Sequence, residues 1–161
     1  MRYFNVFGPR QDPDGPYAAV IPKWIRLLLQ GRPCTMYGDG TSSRDFCYIA
    51  NVVQANLLAA TIHDQAAVNR VYNIALGRRT TLLQLYAMLR QRLTRLCPSI
   101  AEQPPLHDPD RPGDIPHSWA DIEYAVTSLG YRPTHSVEQG LDESLEWYIT
   151  HLSALPSPSS R

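Results

Sequence analysis

Apolar positions along this chain recur with two periods, and the switches between them set the order of elements. The run Tyr3-Phe4-Asn5-Val6-Phe7 is aromatic or β-branched apart from Asn5 and stops at Gly8-Pro9, which predicts a short buried strand feeding a turn. Asp12-Pro13-Asp14-Gly15-Pro16 has loop chemistry. Ile21, Trp24, Ile25 and Leu28 fall at i, i+3, i+4 and i+7. That spacing predicts a helix over 18–30, with Pro22 in its first turn and Gly31 past its end. Thr35-Met36-Tyr37 predicts a strand, Gly38-Asp39-Gly40 a turn, and the weak alternation from Arg44 to Ile49 a further strand. Asn51 and Gln54 stand in capping-box register for a helix from Val52 to His63, rich in Ala and Leu and expected to be covered on most sides.

Val71 to Leu76 predicts a strand that ends at Gly77. Thr81 and Gln84 form a second capping-box pair, ahead of a helix with Leu82, Leu85, Tyr86, Leu89 and Leu93 on one face. Cys97 to Pro116 is proline-rich and predicts irregular chain. Asp121 reads as the cap of a short helix ending at Gly130. Ser136 and Gln139 frame a last helix with Val137, Leu141, Leu145, Tyr148 and Leu152 on its apolar face. Residues 153–161 are small and polar and are expected to be disordered, which leaves 1–152 as the ordered portion. Strands alternate with helices, so the class is α/β. The opening strand has no earlier element to pair with, so the chain is expected to begin inside a domain.

Composition narrows the function classes. The 161 residues carry no net charge, with 43% hydrophobic and 19% charged, enough for one domain with its own core. A neutral balance predicts no nucleic-acid partner and no attraction to a membrane surface. The cations are almost all arginine, and Lys23 is the only lysine. Cys34, Cys47 and Cys97 form no C-x-x-C pair and read as free thiols in a reducing, cytoplasmic setting. The histidines show no i, i+4 pair, so no metal site is expected. No apolar run approaches the ~18–20 residues of a membrane span, and the N-terminus has no secretory pattern.

Polar groups collect where the predicted elements end. Asn5 and Gln11 flank the first turn, Arg44 follows the Gly38-Asp39-Gly40 turn, and Arg111 and Asp114 lie in the proline-rich segment with Ser118 soon after. Arginine forks at loop ends suit a phosphate or diphosphate. Taken singly, each also reads as a surface arginine in solvent or beside a carboxylate such as Asp45 or Asp110. Asn5 is either satisfied by backbone or held ready for a ligand.

In this order and over nearly the whole chain, several segments resemble one family. They are Arg2-Tyr3-Phe4-Asn5-Val6-Phe7-Gly8-Pro9-Arg10-Gln11, Ala18 to Ile25, Tyr37-Gly38-Asp39-Gly40 with Ser43-Arg44-Asp45-Phe46, Val71-Tyr72-Asn73-Ile74, Arg111-Pro112-Gly113-Asp114, and Trp147-Tyr148. The resemblance is to the C-terminal, substrate-binding half of an extended short-chain dehydrogenase/reductase of the NAD-dependent epimerase/dehydratase family. Within it the UDP-N-acetylglucosamine 4-epimerase group, related to UDP-glucose 4-epimerase, is the most similar branch. The resemblance implies the C-terminal part of a Rossmann-type fold without its dinucleotide-binding portion, in which strands near 3–6 and 71–74 join a larger parallel sheet. Residues 1–152 would bind a UDP-sugar. It further implies that Asn5 bonds the diphosphate–sugar region, that Ala19, Val20 and Ile21 pack beside the uracil, and that Arg44 and Arg111 bind the diphosphate. Asp114 holds the ribose or orients Arg111, and Gln11 and Ser118 approach the acetamido group at sugar carbon 2.

In that family NAD takes a hydride from carbon 4 and returns it to the other face. The Gly-rich turn that binds NAD and the Tyr-x-x-x-Lys pair are absent from this sequence. Gly38-x-Gly40 leads to Ser43 and a strand, not a helix, and the residue four before Lys23 is Ala19. NAD is therefore expected on the missing N-terminal half, with no catalytic residue here and an inactive isolated chain. A homodimer is implied for the complete enzyme. The alternatives are a stand-alone nucleotide-sugar binding module or subunit, and a fragment of a related dehydratase or decarboxylase.

Overall fold

Asn5, at a φ of 36°, breaks the opening apolar run in two. In the computed structural model, which describes residues 1–14, 19–96 and 104–152, the run becomes β1 (Arg2–Tyr3) and β2 (Val6–Phe7). The expectation of one buried strand is corrected. β1 is exposed, with no second strand beside it among the described residues, and of the four apolar side chains of the run only Phe7 is fully buried. Asn5 is exposed too, and its Nδ2 donates to the Asp45 carbonyl at 3.2 Å.

The helix α1 (Val20–Leu29) buries Ile21, Trp24, Ile25 and Leu28, the face that the i, i+3, i+4, i+7 spacing selects. Gly31 takes the left-handed conformation just beyond it, at φ 64°. β3 (Thr35–Tyr37) follows, then β4 (Ser43–Arg44) and β5 (Cys47–Tyr48). The single strand expected over 44–49 is therefore two, and they serve different sheets. Asp45 is the cause: its side chain turns inward between them, where Oδ1 accepts the Leu76 N–H at 2.9 Å and Oδ2 the Ala120 N–H at 3.3 Å.

The helix α2 (Ile49–Thr61) starts earlier than its sequence signals suggest. Asn51 lies inside its first turn and caps nothing there. Its Oδ1 accepts the N–H groups of Thr134 and His135, and its Nδ2 donates to the His135 carbonyl at 2.9 Å. Gln54 accepts the Arg132 N–H, so the apparent capping box instead fastens the segment before the last helix. Nor is α2 covered on most sides: Asn51, Val52 and Ala55 are buried, while Val53 and Leu57 are 50% and 61% exposed.

Of the strand expected over 71–76 only β6 (Asn73–Ile74) pairs, because the chain beyond it is bent onto Asp45. β7 (Thr80–Thr81) leads into α3 (Leu82–Leu96), whose capping box forms as expected, with Thr81 N–H on Gln84 and Gln84 N–H on the Thr81 hydroxyl. The proline-rich stretch is not wholly irregular. β8 (Leu106–Asp108) lies parallel to β3, exposed along its length, a strand that its polar sequence does not announce. α4 (Glu123–Leu129) has Ile122, not Asp121, at its cap position, with Asp121 accepting the Glu123 N–H and Gly130 closing the helix at φ 69°. α5 (Val137–Leu152) begins with the expected Ser136–Gln139 pair.

Among the described residues four two-stranded sheets result: β1–β6, β2–β5 and β3–β8 parallel, and β4–β7 antiparallel. One core joins α1, α3 and α5 over Phe7, Met36 and Tyr48, with Leu85, Leu89, Leu93, Leu141 and Leu145 buried between the helices. Each such leucine contributes about 1.5–3 kcal/mol by leaving water. A smaller core lies under α2 and α4 around Cys47, Ile74 and Tyr131. α5 crosses the β2–β5 pair at Gly140, where a Cβ would stand 2.7 Å from the Tyr48 side chain. The Tyr148 hydroxyl donates to the Gly8 carbonyl at 2.6 Å and ties α5 to the first turn. Cys34 and Cys47 are buried free thiols, whereas Cys97 and the tail 153–161 lie outside the described residues. Among the described residues no helix is long and apolar enough to cross a membrane, and no cluster of His, Cys, Asp and Glu is placed to hold a metal.

Candidate functional site

A cavity of about 240 Å³ opens where the first turn, the start of α1, β3 and the 111–114 loop converge. Asn5 reaches it because its left-handed backbone ends β1 beside the chain that carries Arg44. Ala19, Val20 and Ile21 reach it as the first turn of α1, where Ala19 is extended and makes no side-chain cap. Tyr37 ends β3, and Arg44 ends β4. Arg111 and Asp114 close the far wall.

The arginines are held in different ways. Arg44 donates through Nη1 to the carbonyls of Ser43 and Pro116, at 3.0 and 3.2 Å, and through Nη2 to Asp114 Oδ1 at 2.7 Å. The Arg111 guanidinium lies over the Tyr37 ring, 3.8 Å from its centroid. The pairing corrects two readings. Asp114 engages Arg44 rather than orienting Arg111, and Asp45 partners backbone amides rather than an arginine. Burial pushes the Asp45 carboxyl above the usual carboxylate range, and the amides that it accepts, from Leu76 and Ala120 first, pull it back.

Seven of the residues singled out by sequence therefore meet at one cavity: Asn5, Ala19, Val20, Ile21, Arg44, Arg111 and Asp114. Gln11 and Ser118 do not line it. Gln11 Nε2 donates to the Val6 carbonyl at 3.1 Å, and its buried Oε1 has no partner among the described residues. The Ser118 N–H donates to the Ser43 carbonyl. Sequence reasoning missed Lys23, Trp24, Tyr37 and Phe46 in the lining. Lys23 and Trp24 stand one helical turn beyond Ala19 and Val20, so the helical period itself would have found them.

The lining sets three cations, Lys23, Arg44 and Arg111, against one carboxylate, Asp114. Among the described residues it includes no histidine or cysteine, and its carboxylate is already engaged. The arrangement suits an anion next to a flat ring. The Gly38-Asp39-Gly40 turn runs into β4, with no helix N-terminus directly behind it to meet a pyrophosphate.

Residues 1–75 match the model of the NAD dependent epimerase/dehydratase family. The UDP-N-acetyl-alpha-D-glucosaminuronate decarboxylase of Bacillus cytotoxicus is 34% identical over 149 residues, covering 92% of this chain and 45% of its own length. The UDP-glucose 4-epimerase of Thermotoga maritima, solved with UDP-glucose, superposes with a TM-score of 0.81 at 38% identity, over 94% of this chain and 45% of that one. The UDP-N-acetylglucosamine 4-epimerase of Methanobrevibacter ruminantium, solved with UDP-N-acetylmuramic acid, gives 0.79 at 39%, over 92% and 45%. The chain thus spans a little under half the length of these relatives.

Proposed function

We propose that this chain, whose residues 1–75 match the NAD-dependent epimerase/dehydratase family, is the nucleotide-sugar-binding part of a UDP-sugar 4-epimerase. The observation that carries this reading is the convergence of Arg44 and Arg111 on one cavity with the first turn of α1 and the Tyr37 ring. Arg44 and Arg111 take the diphosphate, Asn5 bonds the diphosphate–sugar region, and Ala19, Val20 and Ile21 pack beside the uracil. Asp114 releases Arg44 when the diphosphate arrives and turns to the ribose. NAD and the catalytic base belong to a separate half. The complete enzyme is a cytoplasmic homodimer.

For the sugar we propose N-acetylglucosamine, a reading supported by the likeness to the UDP-N-acetylglucosamine 4-epimerase of Methanobrevibacter ruminantium, with Gln11 the residue that the resemblance brings to the acetamido group. A chimera that joins this chain to a cofactor half should prefer UDP-N-acetylglucosamine over UDP-glucose, and Gln11→Ala should erode that preference. The similarity to a decarboxylase keeps a second reaction open at the same pocket, because the reaction is decided by residues outside it. Calorimetry on the chain tests the central reading: it should bind UDP-N-acetylglucosamine and not NAD⁺. Micromolar binding of NAD⁺, or none of the UDP-sugar, would overturn it.

A further inference from the structure

α1 turns one face of its first half toward the cavity. Ala19, Val20, Lys23 and Trp24 all line it, and their four-residue repeat is what one helix face requires. Trp24 runs on into the core, whereas Lys23 is exposed. The three pocket cations are not equally committed. Arg44 is spent on Asp114 and two carbonyls, and Arg111 lies on Tyr37. Lys23 has no hydrogen-bond or ion-pair partner for its ammonium among the described residues. Its charge reaches the segment before β3, where it eases the rise that burial imposes on the Cys34 thiol.

An ammonium has three donors and no acceptor, so a free one in a binding cavity calls for a ligand oxygen. The phosphate-binding forks stand on β4 and the 111–114 loop. Lys23 stands on α1, one turn beyond Ala19, at the wall proposed above for the nucleobase. Uracil presents two ring carbonyl oxygens. Cytosine keeps the carbonyl at C2 but carries an amino group at C4, which gives an ammonium no acceptor at that position.

Resting on the nucleotide reading above, we infer that Lys23 reads the base: its ammonium donates to the uracil C4 carbonyl and selects uridine over cytidine nucleotides. The test is calorimetry of the 161-residue chain with UDP, CDP and inorganic pyrophosphate, for wild type, Lys23→Met and Lys23→Arg. Wild type should prefer UDP over CDP. Lys23→Met should lose about tenfold or more for UDP, the order expected for one charge-assisted hydrogen bond, with the UDP/CDP preference falling toward unity. Pyrophosphate binding should stay within about twofold, and Lys23→Arg should recover part of the UDP affinity. An equal loss for pyrophosphate would make Lys23 a phosphate ligand and overturn the inference, as would unchanged UDP binding. If wild type binds none of the three, the nucleotide reading fails and takes this inference with it.

Discussion

The guanidinium of Arg44 and the carboxylate of Asp114 are 2.7 Å apart inside the cavity where an anionic ligand is proposed to sit. On the proposed reading an incoming diphosphate displaces this acid from Arg44. The side chains are 21% and 50% exposed, and a pair in such a setting is worth about 0–1 kcal/mol. Asp114→Asn should tighten inorganic pyrophosphate binding by about two- to fivefold. Pyrophosphate has no ribose, so it isolates this displacement from any contact that Asp114 makes to the sugar. Unchanged or weaker binding in a calorimetric titration would contradict the displacement.

Gly140 is the point where α5 meets the β2–β5 pair. A Cβ there would lie 2.7 Å from Tyr48 Cβ and 2.8 Å from Phe7 Cζ, and the first of these cannot swing away. Gly140→Ala should therefore destabilise the fold by about 1–3 kcal/mol, although alanine is the better helix former. A urea denaturation midpoint at or above wild type would show that α5 has room to shift.

Alkaline stability should be poor. Burial pushes the Cys34 thiol, ordinarily near 9, up to about 12, and the Cys47 thiol to about 11. Burial likewise raises the Tyr148 phenol to about 12, against a smaller opposite pull from the Gln11 backbone. Each group keeps its proton longer in the folded chain than in the unfolded one. The stability it contributes is complete below the unfolded pKa, and it is lost as pH rises from there through the folded pKa. Unfolding free energies from urea titrations should be level up to about pH 8 and fall between about pH 9 and 12, by roughly 1.4 kcal/mol per thiol per pH unit at the start. Cys34→Ala should soften the fall, and a level midpoint to pH 11 would contradict the burial of these groups.

The isolated chain should self-associate. β1 has no second neighbour among the described residues, and Tyr3, Val53, Leu57 and Val71 stand exposed near it or on α2. Parallel strands are ordinarily covered on both sides, and a bare edge invites pairing. Sedimentation velocity across a concentration series should show oligomers, and Leu57→Lys should reduce them. A clean monomer at all concentrations would count against exposure of this face in solution.

How much of this was legible depended on whether the signal was local. The capping boxes at Thr81–Gln84 and Ser136–Gln139 are complete within four residues and formed as read. The similar pair Asn51–Gln54 did not, because both side chains were claimed by residues some eighty positions away. β8 was invisible because its order comes from β3's edge and not from its own pattern. The kink at Asn5 and the split at Asp45 likewise arise from tertiary partners of a polar side chain in an apolar run. At the cavity, the convergence of the seven sequence-marked residues came through resemblance, while the Arg44–Asp114 pair and the Arg111–Tyr37 stack needed coordinates.

The account stands or falls on where a uridine nucleotide binds. An NMR titration of the ¹⁵N-labelled chain with UDP tests this directly, because it reports position as well as affinity. Saturable shifts are expected at the amides of Asn5, Val20, Tyr37 and Arg44 and at the Trp24 indole, with none along the outer face of α3. Arg44→Ala with Arg111→Ala should abolish them. Shifts centred elsewhere, or undiminished in the double variant, would contradict the assignment of this cavity to a nucleotide.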